Sequence, residues 1–308
     1  MKVYTHPPRE NWICDRLVNE WRMSNSDIDV NSPTQADVVW LLAGWCWRHI
    51  DHRILANKKV ICTIHHIVPD KFYNENKHIE FAIRDQFVDA YHVPNDTTGN
   101  MIRQLTTKPI HVIPYWCNDK LWFPQNKEKA RRELNLELTD FIIGSFQRDT
   151  EGGTLHPKLE KGPDIFCDYI ARVSKIRDVH VLLGGWRRGY VIERLKEQKT
   201  RYTLLEKSSE SMLRAMYNSC DLYVVSSRFE GGPQAVIECA AMNIPIISNN
   251  VGIASKVLHK DCIVDISKTQ KIDISSGAID YNLRKVKELF IDVHKLKYRK
   301  MIEEVNEQ

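Results

Sequence analysis

The chain has 308 residues, 43% hydrophobic and 27% charged. That balance fits a soluble globular protein with room for two ordinary domains. The net charge of +4 is too small to argue nucleic-acid binding, and leaves a weak preference for anionic ligands or lipid headgroups.

The first residues, MKVYTHPPREN, carry no apolar core of a signal peptide, and the apolar run VVWLLAGW at 38–45 is far too short to span a membrane. A cytoplasmic chain is therefore expected. The eight cysteines, at 14, 46, 62, 117, 167, 220, 239 and 262, form no C-x-x-C pair. They read as reduced, buried thiols, with no disulfide frame or zinc site.

Along the chain, short apolar β-branched runs alternate with amphipathic stretches. The runs predict strands at 3–6, 38–43, 60–64, 90–93, 111–114, 141–146, 180–184, 202–205, 222–226, 244–248 and 262–264. Helical spacing appears at 11–21 (Trp12, Ile13, Leu17, Trp21), at 211–219 and at 234–242. Such alternation predicts parallel sheets covered on both faces. The rhythm breaks after Pro114, passes through the charged helix NKEKARREL and restarts at Phe141. A boundary near 125–140 follows, giving domains over 1–130 and 131–282, both doubly wound. Their ligands belong at the carboxyl ends of the strands, in the cleft between them. A single amphipathic helix is expected over 283–305, with Val286, Leu289, Phe290, Val293 and Leu296 on one face and basic residues interspersed. Docking back across the domains is its expected use, and weak contact with an anionic membrane is the alternative.

The most informative stretch is Ser226-Ser-Arg-Phe-Glu-Gly-Gly-Pro-Gln-Ala-Val-Ile-Glu238, which follows the strand LYVV and opens a helix. Glu230 lies in the turn and Glu238 inside the helix, with seven residues between. The turn glycines leave backbone amides bare beside a helix N-terminus, which favours an anionic or hydroxyl-rich ligand. A carboxylate can accept hydrogen bonds from neighbouring hydroxyls, which suits a sugar or a ribose.

This stretch resembles the E-x(7)-E signature of glycosyltransferase family 4, the "glycosyl transferases group 1" enzymes of GT-B fold, and the following CAAMNIPIISNNVG resembles their next helix, strand and loop. Three further segments match in order. Phe141-Ile-Ile-Gly-Ser-Phe-Gln-Arg148 and Lys161-Gly-Pro-Asp resemble the family's diphosphate-gripping arginine and lysine. Val112-Ile-Pro-Tyr-Trp-Cys-Asn-Asp-Lys-Leu-Trp-Phe-Pro124 resembles the interdomain stretch, and Thr63-Ile-His65-His66 the strand-end histidine that faces the reacting sugar.

The resemblance implies an α/β protein of two facing Rossmann-like domains. It also implies a retaining, metal-independent hexosyltransferase using a UDP- or GDP-sugar, with no metal or other cofactor. By this resemblance Glu230 holds donor-sugar hydroxyls and Glu238 the ribose. Gly231, Gly232 and Pro233 line the sugar, Gly185 serves a turn beside the nucleotide, and Arg148 and Lys161 neutralise the diphosphate. His65, or His66 beside it, supports the charge developing on the sugar. The acceptor, a glycan, lipid or protein, stays open. So do two rival readings, a sugar-nucleotide epimerase and a non-catalytic nucleotide-sugar-binding subunit. The sequence departs from the family in the insertion DTEGGTLHPKLE before Lys161 and in His6-Pro-Pro where a glycine-rich loop is usual. Two clusters have bland readings beside functional ones. Trp45 and Trp47 suit an acceptor platform or core packing, and His49 and His52 suit a metal or, more simply, a solvated face. Arg187 and Arg188 read as solvated.

Overall fold

The computed structural model describes every residue except Asn11, Gly153 and Lys207. Asn11, the first residue of the helix expected at 11–21, lies outside the described residues, as does Gly153 of the insertion. The chain divides into two compact units, residues 1–116 with 291–308, and residues 117–290. The first boundary thus falls at Trp116/Cys117, ahead of the expected 125–140. The charged helix, Lys127–Glu133, belongs wholly to the second unit because Arg131 buries itself there, donating to Ser219 O at 3.1 Å and pairing with Asp221 at 2.6 Å.

Each unit holds a parallel sheet of five strands. In the first unit these are β1 (Val3–His6), β2 (Val38–Leu41), β3 (Lys59–Thr63), β4 (Ala90–Val93) and β5 (Ile110–Val112), side by side in that order. On the free edge of β1 the segment 28–30 adds a rudimentary strand. Val3 N donates to Ile28 O at 2.8 Å, and Val30 N donates to Val3 O at 2.9 Å. The chain therefore leaves β1 in one direction and returns to build β2–β5 in the other. The two sides of β1 are wound oppositely, and the topological switch lies where β1 and β2 end.

In the second unit the strands are β6 (Ile142–Phe146), β7 (His180–Gly184), β8 (Arg201–Leu205), β9 (Leu222–Val225) and β10 (Ile246–Ser248), in the order β10-β9-β6-β7-β8. Here the switch lies between the ends of β6 and β9. The strand expected at 262–264 is instead a 3-10 turn, Lys260–Cys262, followed by a single bridge from Ile263 to Ser248. The run is too short, and too near that turn, to extend the ladder.

Most strands are buried on both faces, as a sheet sandwiched by helices requires, while the edge strands β5 and β8 are half-buried. In the first unit one face packs Trp21, Trp40, Trp116 and Tyr298 with ring centroids 5.1–6.4 Å apart. Trp116 donates its indole N–H to the buried Glu20 carboxylate at 2.8 Å. Tyr298 comes from the end of the chain. The expected terminal helix is two helices, Ser276–Lys287 in the second unit and Ile291–Asn306 in the first. Between them the backbone pairs with 117, Cys117 N donating to Leu289 O at 2.8 Å. That break resets the helical phase. Ile291, His294, Tyr298, Met301 and Ile302 therefore face the core, while Val293 and Leu296, expected inside, are exposed. No helix among the described residues is long and apolar enough to cross a membrane.

Candidate functional site

In the second unit two loops meet at the switch, one after β6 and one after β9. The insertion after β6 closes on itself. Glu151 N donates to His156 O at 2.8 Å and Lys158 N to Asp149 O at 2.9 Å, returning the chain to Lys161. Its base is held by Arg188, expected in solvent but 1% exposed. The Arg188 guanidinium pairs with Asp149 at 3.1 Å and donates to the carbonyls of Ser145 at 2.5 Å and Gly184 at 2.9 Å. It thereby ties the ends of β6 and β7 together. A cation buried this deeply persists only with charge and carbonyl partners. Burial pushes the Asp149 carboxyl above its usual range despite that pairing.

Gly162 starts the helix Pro163–Val173 with φ +61°, a conformation that favours glycine. A Cβ there would stand 2.1 Å from Ser226 O, so the two loops approach as closely as glycine permits. Ser226 Oγ donates to Gly162 O at 2.8 Å, and Arg228 N and Phe229 N donate to Glu160 O at 2.9 and 3.1 Å. The turn after β9 is thus fastened to the segment that carries Lys161.

This fastening brings Lys161 and Glu230 together, Nζ to Oε1 at 2.7 Å, with side-chain exposures of 23% and 13%. Ser227 donates to the same carboxylate oxygen at 2.9 Å. A half-buried, hydrogen-bonded pair of this kind is a fixed point of opposite charges. It can exchange its internal bond for an anion on one side and hydroxyls on the other. Gly231 and Pro233 are buried and Gly232 half-buried at the entry of the helix Gln234–Ala241, whose first residues carry no side-chain cap. Glu238 sits inside that helix, 2% exposed. Tyr217 donates a hydrogen bond to it, and burial together with the Glu238 charge raises the Tyr217 phenol well above its ordinary value.

Arg148 is half-buried in the loop after β6, its guanidinium 5.4 Å from the Trp186 ring. Gly185, with φ +84°, makes the turn after β7 that presents Trp186. Sequence reasoning missed Ser227 and also Asn249. The Asn249 side chain donates to Ser226 O at 2.9 Å and Ser227 O at 3.2 Å, holding the turn from behind. The only signal for Asn249 is its place just past a strand.

In the first unit His65 follows β3, half-buried. Its Nδ1 is hydrogen-bonded to the Tyr115 hydroxyl and its Nε2 lies 3.4 Å from Cys14 Sγ. The Trp45 ring is 6.0 Å away and exposed, whereas Trp47 is buried and stacks on His52 at 4.9 Å. His49 meets His6 at 3.3 Å. Burial, then the neighbouring His49, lowers the His6 imidazole from 6.5 to about 4.

Residues 152–272, which contain Lys161, Glu230 and Glu238, match the family described as Glycosyl transferases group 1. The chain is 24% identical over 159 residues to the lipopolysaccharide core biosynthesis mannosyltransferase LpsB of Rhizobium meliloti, a match spanning 49% of the chain and 43% of LpsB. It is 26% identical over 195 residues to the glycogen synthase of Fervidobacterium nodosum, spanning 62% of the chain and 38% of that enzyme. The matches thus reach only about two fifths of the length of these relatives. Among solved structures, Anabaena Alr3699/HepE in complex with UDP-glucose superposes with a TM-score of 0.72 at 13% identity, covering 98% of this chain and 99% of that one.

Proposed function

From the premise that this chain carries a Glycosyl transferases group 1 segment on a GT-B fold, we propose that it is a retaining, metal-independent glycosyltransferase. It moves a hexosyl group from a UDP- or GDP-sugar to a glycan, lipid or protein acceptor. The observation that carries this reading is the Lys161–Glu230 pair at 2.7 Å, seated at the switch point of the second unit. A donor diphosphate would draw the Lys161 ammonium and free Glu230 Oε1 to accept sugar hydroxyls, while Ser227 keeps the carboxylate in place. In this reading Arg148 adds a second cation to the diphosphate and Glu238 anchors the ribose. Two fixed cations stabilise the departing nucleotide, the task a divalent ion performs elsewhere. The bond from the anomeric carbon to the diphosphate oxygen breaks as an acceptor hydroxyl attacks from the same face. Its proton passes to the leaving phosphate oxygen. His65, in the first unit, supports the positive charge on the sugar ring. HepE in complex with UDP-glucose makes a uridine donor the first to try.

The test is a thermal-shift panel of UDP, GDP, ADP and their hexose conjugates, with and without EDTA, on wild type, Lys161→Ala and Glu238→Gln. A ligand bound only to the folded state raises the melting temperature by mass action. One nucleotide series is expected to stabilise the wild type by an increment that EDTA leaves unchanged, and to lose effect in both variants. With donor and acceptor in hand, Lys161→Ala is expected to lower kcat by roughly 10²–10³-fold, as for loss of one group aimed at developing charge. The product should keep the donor's anomeric configuration. Absence of any nucleotide shift at millimolar concentration would sink the reading, and an epimer formed without acceptor would favour the epimerase.

A further inference from the structure

The first unit has its own switch point, and what stands there is unlike the ion pair of the second. His6 closes β1, and the 3-10 segment Gly44–His49 follows β2. His6 Nε2 and His49 Nδ1 lie 3.3 Å apart, and Cys46 Sγ joins them with all three atoms within 4.8 Å of one another. Two imidazole nitrogens bound at about 2.0–2.1 Å to one tetrahedral ion stand about 3.3 Å apart. The rings are tilted at 57° with centroids 5.4 Å apart, so the nitrogens converge while the ring faces do not stack.

The surroundings complete the pattern. Tyr4 Oη is 3.2 Å from His6 Nδ1. When Nδ1–H donates to that oxygen, the Nε2 lone pair is directed at His49 and Cys46. A partner on the far nitrogen that fixes the tautomer is the usual companion of a metal-bound histidine. His6 and Cys46 are buried and His49 is exposed, which gives an ion a way in.

We propose that His6, Cys46 and His49 form a zinc site in the first unit, with three protein ligands and a fourth position open to water. Such a set of nitrogen and sulfur donors selects a borderline or soft cation over magnesium or calcium. The ion would pin the turn after β2 to the end of β1. The site shares no residue with the donor machinery, so the metal-independence of transfer and the presence of zinc are separate questions. Spacing along the chain hides it, because the ligands come from two strand ends and none belongs to a C-x-x-C pair.

The experiment uses the whole 308-residue chain, tag-free, stripped with a chelator and titrated with zinc against a chromophoric chelator. One zinc per chain is expected, and a rise in melting temperature with zinc. His49→Asn, at an exposed position, should keep the fold and weaken binding at least about tenfold. Tyr4→Phe should weaken it roughly tenfold through the lost orienting bond. Cobalt in place of zinc should show thiolate-to-metal charge transfer that Cys46→Ser abolishes. If Cys46→Ser fails to fold, His49→Asn decides alone. No stoichiometric binding by wild type, or binding undiminished in His49→Asn, overturns the proposal. EDTA then serves as a discriminator. Stripping zinc lowers the starting melting temperature, whereas failure of the donor-site reading would appear in the nucleotide-induced increment.

Discussion

The two switch points occupy equivalent places in their sheets and are built from opposite chemistry. In the second unit the loop ends are wired by charge, Lys161 to Glu230 at 2.7 Å, Arg188 to Asp149 at 3.1 Å and Arg228 to Asp164 at 2.6 Å. In the first unit the corresponding ends carry mainly imidazoles, a thiol and hydroxyls, with the buried Arg84 donating to Gly44 O at 3.2 Å. His6 meets His49 and Tyr4, His65 meets Tyr115 and Cys14, and the buried His92 lies between Thr63 and the Ile113 carbonyl. A site that grips a diphosphate needs fixed cations with counter-charges to hold them before the ligand comes. Imidazoles and a thiol suit a soft cation or a polar neutral ligand. The topology sets where each site lies, and the side chains at the strand ends set which charge it receives.

The sharpest way to break this contrast is to remove a buried charge from the second unit. Arg188→Met leaves Asp149 buried without its cation, and a loss of about 3–5 kcal/mol is expected in urea denaturation. A loss under about 1 kcal/mol would mean that ion pairing does not hold these loops.

Acid should act on the first unit through His92. Burial lowers His92 from 6.5 to about 4. Its Nε2–H donates to Ile113 O at 2.8 Å while Nδ1 lies 3.0 Å from Thr63 Oγ1, whose own acceptor role is taken by the Trp40 indole. The folded state thus favours neutral imidazole. The unfolded chain binds the proton more readily, so the contribution is complete above about pH 6.5 and is lost as pH falls to about 4, in all of order 3 kcal/mol. Comparing urea midpoints at pH 7 and pH 4.5 should show this loss in wild type and a smaller one in His92→Gln. An identical pH dependence in the two would remove His92 from the account.

The smallest effect belongs to the exposed rim of the second unit. Arg228 and Asp164 are 36% and 27% exposed, so solvent screens their pairing. Arg228→Ala should cost about 0.2–1 kcal/mol and less at high salt. A loss of several kcal/mol would show that the rim pair matters as much as the buried one.

Much of the architecture was legible in the chain because it is encoded locally. Short continuous apolar runs marked all ten strands found among the described residues, some shifted by a residue or two at their ends. The seven-residue spacing of Glu230 and Glu238, with glycines between, marked the turn and helix that bind a sugar nucleotide in the family it resembles. The terminal helix was misread because a continuous 3.6-residue period does not reveal a break at 288–290. That break comes from pairing with Cys117, far away in sequence. Arg188 was misread because its charge looks solvated until Asp149 and two strand-end carbonyls surround it.

By itself, then, the sequence determined the order of strands and helices, the parallel winding they require and the turn and helix that hold the two glutamates. Only the tertiary structure decided which loops meet. It set Lys161 beside Glu230 across 69 positions, His6 beside His49 across 43, and Tyr298 against Pro114 across 184. Periodicity and turn chemistry act between near neighbours and can be read along the chain. A contact between distant residues depends on where each crossover returns, and that is settled when the sheets assemble and their faces are covered.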